Sequence, residues 1–179
     1  MEEITLHPSL FNTPLIYDEP GRVAMQEIYG QYRDIALRAG VPILLCAPTW
    51  RVDRERIARA GVPQTINRDA AAFMGGLRDR WDLPRAPVLV GGLLGPKNDC
   101  YQPSQGLSEK EALAFHEWQV LELAGIQSGQ NILAVNLGLA RRRLISHGCG
   151  AGQGYLFGRP VPSDELNVLL LYTPTLSPS

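Results

Sequence analysis

Apolar positions in the first part of the chain follow a helical period and then form a short continuous run. Between Asp18, a residue suited to capping a helix, and Gly40, apolar side chains recur at steps of three and four residues: Met25, Ile28, Tyr29, Tyr32, Ile35, Ala36 and Ala39. This spacing predicts an amphipathic helix that ends at Gly40. The apolar run at 41–47 that follows predicts a buried strand.

The same alternation continues to about residue 123. Residues 53–60 predict a short helix, and Asn67 opens a longer one with a second apolar face. A second strand at 87–90 leads into a glycine-rich loop at 91–96. The Ser-Glu-Lys-Glu capping box at the start of 108–123 then opens another helix. This order predicts a β/α architecture, whose chemistry lies on the loops that follow the strands.

The pattern changes beyond residue 125. Residues 132–135 are apolar but too few for periodicity to distinguish a strand from a helix. The basic run at 141–143 indicates a solvated helix face or a helix end. The segment at 148–158 is glycine-dense, and its glycine cluster at 148–154 indicates a flexible connector. Residues 164–171 could form a last helix, and the proline- and serine-containing end at 173–179 is expected to fray.

Composition narrows the function classes. The chain has 179 residues, 45% hydrophobic and 20% charged, with a formal net charge of −1, which gives no electrostatic reason to expect nucleic acid or an anionic membrane as partner. The acidic amino terminus is unlike a secretory signal, so we expect a cytoplasmic location. Cys46, Cys100 and Cys149 are widely spaced and are expected to be reduced thiols, because no pair has the spacing of a redox or zinc motif.

The loop after the first predicted strand holds the strongest candidates for contact with a small-molecule substrate, Thr49, Trp50 and Arg51. The indole could form one wall of a pocket, and the guanidinium could bind a carboxylate through two hydrogen bonds. The alternative is that Trp50 packs beneath the loop and Arg51 pairs locally with Asp53 or Glu55.

Two acidic or aromatic residues and two histidines are further candidates for a role at the site. Asp99 and Tyr101 could also line the substrate pocket, although an aspartate in an Asn-Asp turn is more often structural. His116 is expected on the outer face of its helix rather than acting as a base. His147 has no recognisable acidic partner.

Several segments match a known family in order. Tyr-Arg-Asp-Ile-Ala at 32–36, Pro-Thr-Trp-Arg at 48–51, Gly-Gly-Leu-Leu-Gly-Pro at 91–96 and Phe-His-Glu-Trp-Gln at 115–119 are the main matches. Over about 14–126 the chain resembles the homocysteine S-methyltransferases. The resemblance implies a β/α barrel that moves a methyl group from a donor to the sulfur of homocysteine. It also implies that the residues contacting this thiol substrate lie on the loops that follow the predicted strands.

Zinc is the cofactor that this resemblance implies. A free thiol has a pKa of about 8.5, and coordination to zinc stabilises the nucleophilic thiolate. The family holds its metal with cysteines late in the barrel, and neither Cys46 nor Cys100 matches those positions. We identify no zinc ligand set and no catalytic residue in the sequence, and several barrel strands have no counterpart in it.

A second resemblance covers the tail. Residues 148–171, with Gly-Gln-Gly-Tyr-Leu-Phe-Gly-Arg-Pro at 152–160, resemble the carboxyl end of EAL-type cyclic-di-GMP phosphodiesterase domains. Asn-Leu-Gly-Leu at 136–139 could belong to the same match. Glu-Ala-Leu at 111–113 spells the signature tripeptide of the same domains. We interpret it as a coincidence, because Trp118 follows Glu111 by seven residues whereas the signature has its tryptophan five residues after the glutamate.

The sequence therefore predicts an α/β fold that is an incomplete TIM-type (β/α) barrel with about two to three parallel strands and an irregular tail. We expect a methyltransferase-like domain over 1–126 and an EAL-like remnant over 127–179. The function expected first is that of a homocysteine S-methyltransferase-like protein, inactive without its metal ligands. The alternatives are a degenerate cyclic-di-GMP-binding module and a non-functional fusion fragment. Exposed barrel edges also predict self-association.

Overall fold

A computed structural model describes residues 4–81, 87–98, 105–124, 131–135 and 151–153. A short 3-10 helix, Thr13–Tyr17, comes first. The helices and strands are, in chain order, α1 (Glu19–Ala39), β1 (Ile43–Cys46), α2 (Arg54–Ala60), α3 (Ile66–Arg80), β2 (Val88–Leu94), α4 (Glu109–Ala124), β3 (Asn131–Val135) and β4 (Ala151–Gln153). The order predicted for the first 124 residues is confirmed.

The strands form one parallel four-stranded sheet in the order β1-β2-β3-β4. Register pairs Leu45 of β1 with Val90 of β2, and Gly92 of β2 with Ile132 of β3. The α/β class is thus confirmed, and β3 answers the open question at 132–135 in favour of a strand. Within the described ranges the sheet is open, with β1 and β4 at its edges, and these strands do not close into a barrel.

The strand count exceeds the two to three that were expected. The additional strand, β4, lies inside the glycine-dense segment that was interpreted as a flexible connector. Its three residues, Ala-Gly-Gln, have neither an apolar pattern nor high strand propensity, so only pairing with β3 reveals it. The boundary predicted at 126 and 127 and the rest of the EAL-like tail lie outside the described residues.

Capping residues fix the ends of the two helices that flank β1. The Asp18 carboxylate accepts a hydrogen bond from the Gly21 amide at 2.9 Å, and Gly40 ends α1 in the left-handed conformation with φ of 66°. At α2 the Asp53 carboxylate accepts from the Arg56 amide at 3.0 Å, and Gly61 ends the helix in the same conformation. Both helix starts and both stops match the predicted ones.

The core lies between the helices and one face of the sheet. Its fully buried side chains include Leu45, Val90 and Leu94 from the strands and Ile66, Met74 and Leu77 from α3. On the opposite face Leu44 and Leu89, which are paired in register, are 36% and 40% exposed. Side chains alternate between the two faces of a strand, so this face of the sheet is the uncovered one. No helix in the described part of the chain is long and apolar enough to cross a membrane.

Close packing of α4 on β2 depends on Gly92. A Cβ atom at this position would lie 2.6 Å from Cδ1 of Leu123, closer than carbon atoms pack. We predict that Gly92→Ala lowers the free energy of unfolding by about 1–3 kcal/mol, because the Leu123 side chain must leave its packed position against the sheet. Urea unfolding followed by circular dichroism measures the change.

Gly76→Ala is the matched control. A Cβ atom at Gly76, in the interior of α3, would meet nothing within 4 Å. Alanine there should stabilise the protein by about 0.5–1 kcal/mol through helix propensity. Equal losses in the two variants would contradict the packing of α4 described here.

Candidate functional site

Thr49 anchors the loop that follows β1. It is fully buried, its Oγ1 donates to the Leu93 carbonyl oxygen at 2.7 Å, and the Leu93 amide donates back to Oγ1 at 3.0 Å. One hydroxyl thus bonds both main-chain groups of a β2 residue. Thr49 was predicted to contact substrate. The structure uses its side chain to hold the loop against the sheet instead.

Two buried amide side chains support the same loop from the helices. Gln119 of α4 donates from Nε2 to the Thr49 carbonyl oxygen at 2.7 Å and to Asn67 Oδ1 at 3.0 Å. Asn67 of α3 donates from Nδ2 to the Val52 carbonyl oxygen at 2.8 Å. Sequence reasoning treated Asn67 as a helix start and did not assign Gln119 a role. The feature that could have identified Asn67 and Gln119 in the sequence is a polar residue on the apolar face of a helix.

The acidic residues close to the loop already have partners. Asp53 caps α2 and forms an ion pair with Arg56, whose Nη2 also donates to the Lys97 carbonyl oxygen at 2.9 Å. Glu55 pairs with the Lys97 ammonium at 2.8 Å. The alternative in which Asp53 or Glu55 neutralises Arg51 is therefore not the one the structure adopts.

Arg51 lies beside two aromatic rings that pack against each other. Its guanidinium carbon is 5.1 Å from the centre of the Trp50 ring and 5.8 Å from that of Phe11. Its Nε is buried and has no hydrogen-bond partner among the described residues, and no carboxylate of those residues lies within ion-pair distance. A half-buried cation of this kind is suited to receive an anion from outside the chain.

The backbone of Phe11 is strained where it approaches Arg51. Phe11 has φ of 52°, a conformation that aromatic residues rarely adopt. Two main-chain hydrogen bonds with His7, of 3.0 and 2.8 Å, hold it there, and its ring packs 6.0 Å from that of Trp50. Strained residues of this kind often occur at binding sites.

A cavity of about 540 Å³ opens beside these residues along the free edge of β1. Trp50 and Arg51 are among its lining residues, and most of the remaining wall comes from the amino-terminal segment, α1 and β1, including Leu10, Phe11, Asn12, Tyr29, Tyr32 and Leu44. Tyr29 donates from its hydroxyl to the Cys46 carbonyl oxygen at 3.1 Å and so covers one unpaired main-chain group of the edge. Asp99 and Tyr101 lie outside the described residues.

Close approach of the loop to β2 requires a glycine. A Cβ atom at Gly95 would overlap the Trp50 carbonyl oxygen and approach Cδ1 of its ring to 2.5 Å. Gly95 therefore fixes where the Trp50 indole stands. It belongs to the Gly-Gly-Leu-Leu-Gly-Pro segment, which had been noted for its resemblance rather than for this contact.

His116 is buried, at 3% exposure, so its predicted place on the outer face of α4 is wrong. Its Nδ1 has no hydrogen-bond partner among the described residues. Burial lowers the pKa of His116 to about 4, against the opposing influence of the Asp53 charge. The burial of His116 could not be predicted from the sequence, because a single histidine among apolar helical residues does not indicate which face of the helix it occupies.

The described residues do not fit zinc. No three ligating side chains among them come together, and Cys46 is the one cysteine in the described ranges. Burial raises the pKa of the Cys46 thiol, which keeps it protonated and unsuited to bind a metal as thiolate. Cys100, Cys149 and His147 lie outside the described residues.

Comparisons of the chain with protein-family models, with curated proteins and with solved structures found no match.

We predict that Gly95→Ala displaces the loop and costs about 1–3 kcal/mol of stability. The overlap with Trp50 can be relieved only if the loop moves away from β2. The indole resonance of Trp50 in a proton–nitrogen correlation spectrum should shift. Gly92→Ala is the control, since it destabilises the fold at Leu123 and should leave that resonance in place. An unmoved Trp50 signal in Gly95→Ala would contradict the contact.

His116 predicts a specific dependence of stability on pH. The unfolded histidine binds a proton below about pH 6.5, whereas the folded one binds it only below about pH 4. Its contribution should be complete above pH 6.5 and decline between 6.5 and 4, by up to about 3 kcal/mol. Urea unfolding of His116→Leu at several pH values should show a flatter decline than the unsubstituted chain. Parallel curves would contradict the low pKa.

Proposed function

We propose that the chain is a homocysteine S-methyltransferase-like protein that binds a small thiol amino acid in the cavity beside β1. The observation that carries the proposal is the state of Arg51. Its guanidinium lines the cavity, its Nε is buried without a partner among the described residues, and the neighbouring acids are paired elsewhere. The ligand's carboxylate would complete this site.

The energetics favour a carboxylate over a neutral group. Leaving a buried donor unpaired costs about 1–3 kcal/mol, and a hydrogen bond to a charged group recovers more than a neutral one. The guanidinium carbon lies 5.1 and 5.8 Å from the centres of the Trp50 and Phe11 rings, and the planar guanidinium itself holds its donors in a fixed fork. A planar carboxylate matches that arrangement through two parallel hydrogen bonds.

The remaining wall suits the rest of a thiol amino acid. It is mostly apolar, with Tyr32 and Leu44 among its side chains, and can accept a short aliphatic chain with a neutral thiol. Its volume of about 540 Å³ exceeds what homocysteine alone requires. Space is left for a second molecule, as a methyl donor would need.

Methyl transfer itself needs more than this cavity. A thiol with a pKa of about 8.5 is mostly protonated at neutral pH, so transfer requires a group that generates the thiolate. The described residues offer no metal ligand set for that purpose. The proposal for them is therefore binding of the thiol substrate, in a cytoplasmic protein in which Cys46 stays reduced.

Isothermal titration with L-homocysteine under reducing conditions tests the proposal. Arg51→Gln should weaken binding about 10- to 100-fold, the loss expected for hydrogen bonds to a charged group. The decarboxylated analogue of homocysteine should bind the unsubstituted chain as weakly as homocysteine binds the variant.

Arg54→Gln is the matched control. Arg54 does not line the cavity, is exposed, and lies over the ring of Trp118 at 5.0 Å. Its substitution removes the same charge and should leave affinity unchanged. Equal weakening in the two variants, or no binding by the unsubstituted chain, would contradict a carboxylate site at Arg51.

A further inference from the structure

An apolar stripe on α1 is exposed. Ile28, Tyr32 and Ile35 recur at steps of four and three residues and are 52%, 58% and 54% exposed. Steps of this size place the three side chains on one face of a helix. Three large apolar side chains in a row are more than the scattered exposed residues of an ordinary surface.

The stripe lies away from α3, and its central residue borders the free edge of β1. On another side of α1, Arg22 lies over the ring of Phe73, which belongs to α3. Arg33 lies over the ring of Trp81, the residue that follows α3. Tyr32, by contrast, lines the cavity along the free edge of β1. The stripe therefore occupies the position at which a neighbouring helix would pack in a layered α/β structure.

Two opposite charges border the stripe along the same flank. Glu27 and Arg38 are about three helical turns apart, which brings them to the same side of α1. Both are exposed, and neither forms an ion pair within the part of the chain that the structure describes. Tyr32 lies almost midway between them.

We propose that a second copy of this chain docks on the stripe, with its α1 antiparallel to the first. A two-fold axis near Tyr32 would place Ile28 opposite Ile35 of the other copy. In a two-fold interface each contact occurs twice with its members exchanged. Glu27 therefore meets Arg38 of the second copy, and Arg38 meets its Glu27. The self-complementary order of charges is what selects a second copy over another helical partner.

Charge reversal tests this arrangement by sedimentation velocity over a range of concentrations. Glu27→Arg alone places four cations at the interface, and Arg38→Glu alone places four carboxylates there. Each should weaken dimerisation about tenfold or more. An equimolar mixture of the two variants should restore it, because in the mixed dimer both pairs are again of opposite charge.

Glu117→Arg is the control, since Glu117 is exposed on α4 and away from the stripe. It should dimerise like the unsubstituted chain, and matching thermal melts should show that all variants fold. A monomeric unsubstituted chain overturns the proposal. So does a dimer that neither reversal weakens, or one that mixing does not restore. These measurements need no ligand, so their outcome is separate from that of the Arg51 experiment.

Discussion

The double hydrogen bond between the Thr49 hydroxyl and the main chain of Leu93 is the constraint on which the site depends. It ties the end of β1 to the end of β2 in a buried position. A buried hydroxyl that both donates and accepts has one orientation only, so the next two residues of the loop leave the sheet in a fixed direction. The positions of Trp50 and Arg51 at the cavity follow from this anchor.

The free state of Arg51 results from how the surrounding polar groups are paired. Asp53, the closest acid in sequence, is committed to the α2 cap and to Arg56, and the amides of Asn67 and Gln119 satisfy loop carbonyl oxygens. Buried polar groups are costly unless each finds a partner, and this network pairs nearly all of its members. Within the described part of the chain, the Arg51 guanidinium takes no part in this network.

Local rules allowed much of the fold to be predicted. Capping residues such as Asp18 and Gly40 act over a few residues, and apolar periodicity marks each helix face, so α1 to α4, β1 and β2 could be placed from sequence. The site was only partly accessible. Trp50 and Arg51 stood out by residue type, but the anchoring role of Thr49 and the burial of His116 depend on contacts far apart in the chain. Strand β4 depends on pairing alone.

The open edge of β1 links the two proposals. A closed barrel would pair this edge with another strand and cover α1 with another helix. Here the edge borders a cavity, and the apolar stripe on α1 stays exposed. Tyr32 takes part in both, because its ring lines the cavity and lies at the centre of the stripe. The two proposals therefore assign ligand binding to the loop end of this uncovered surface and pairing of two copies to the exposed stripe on α1.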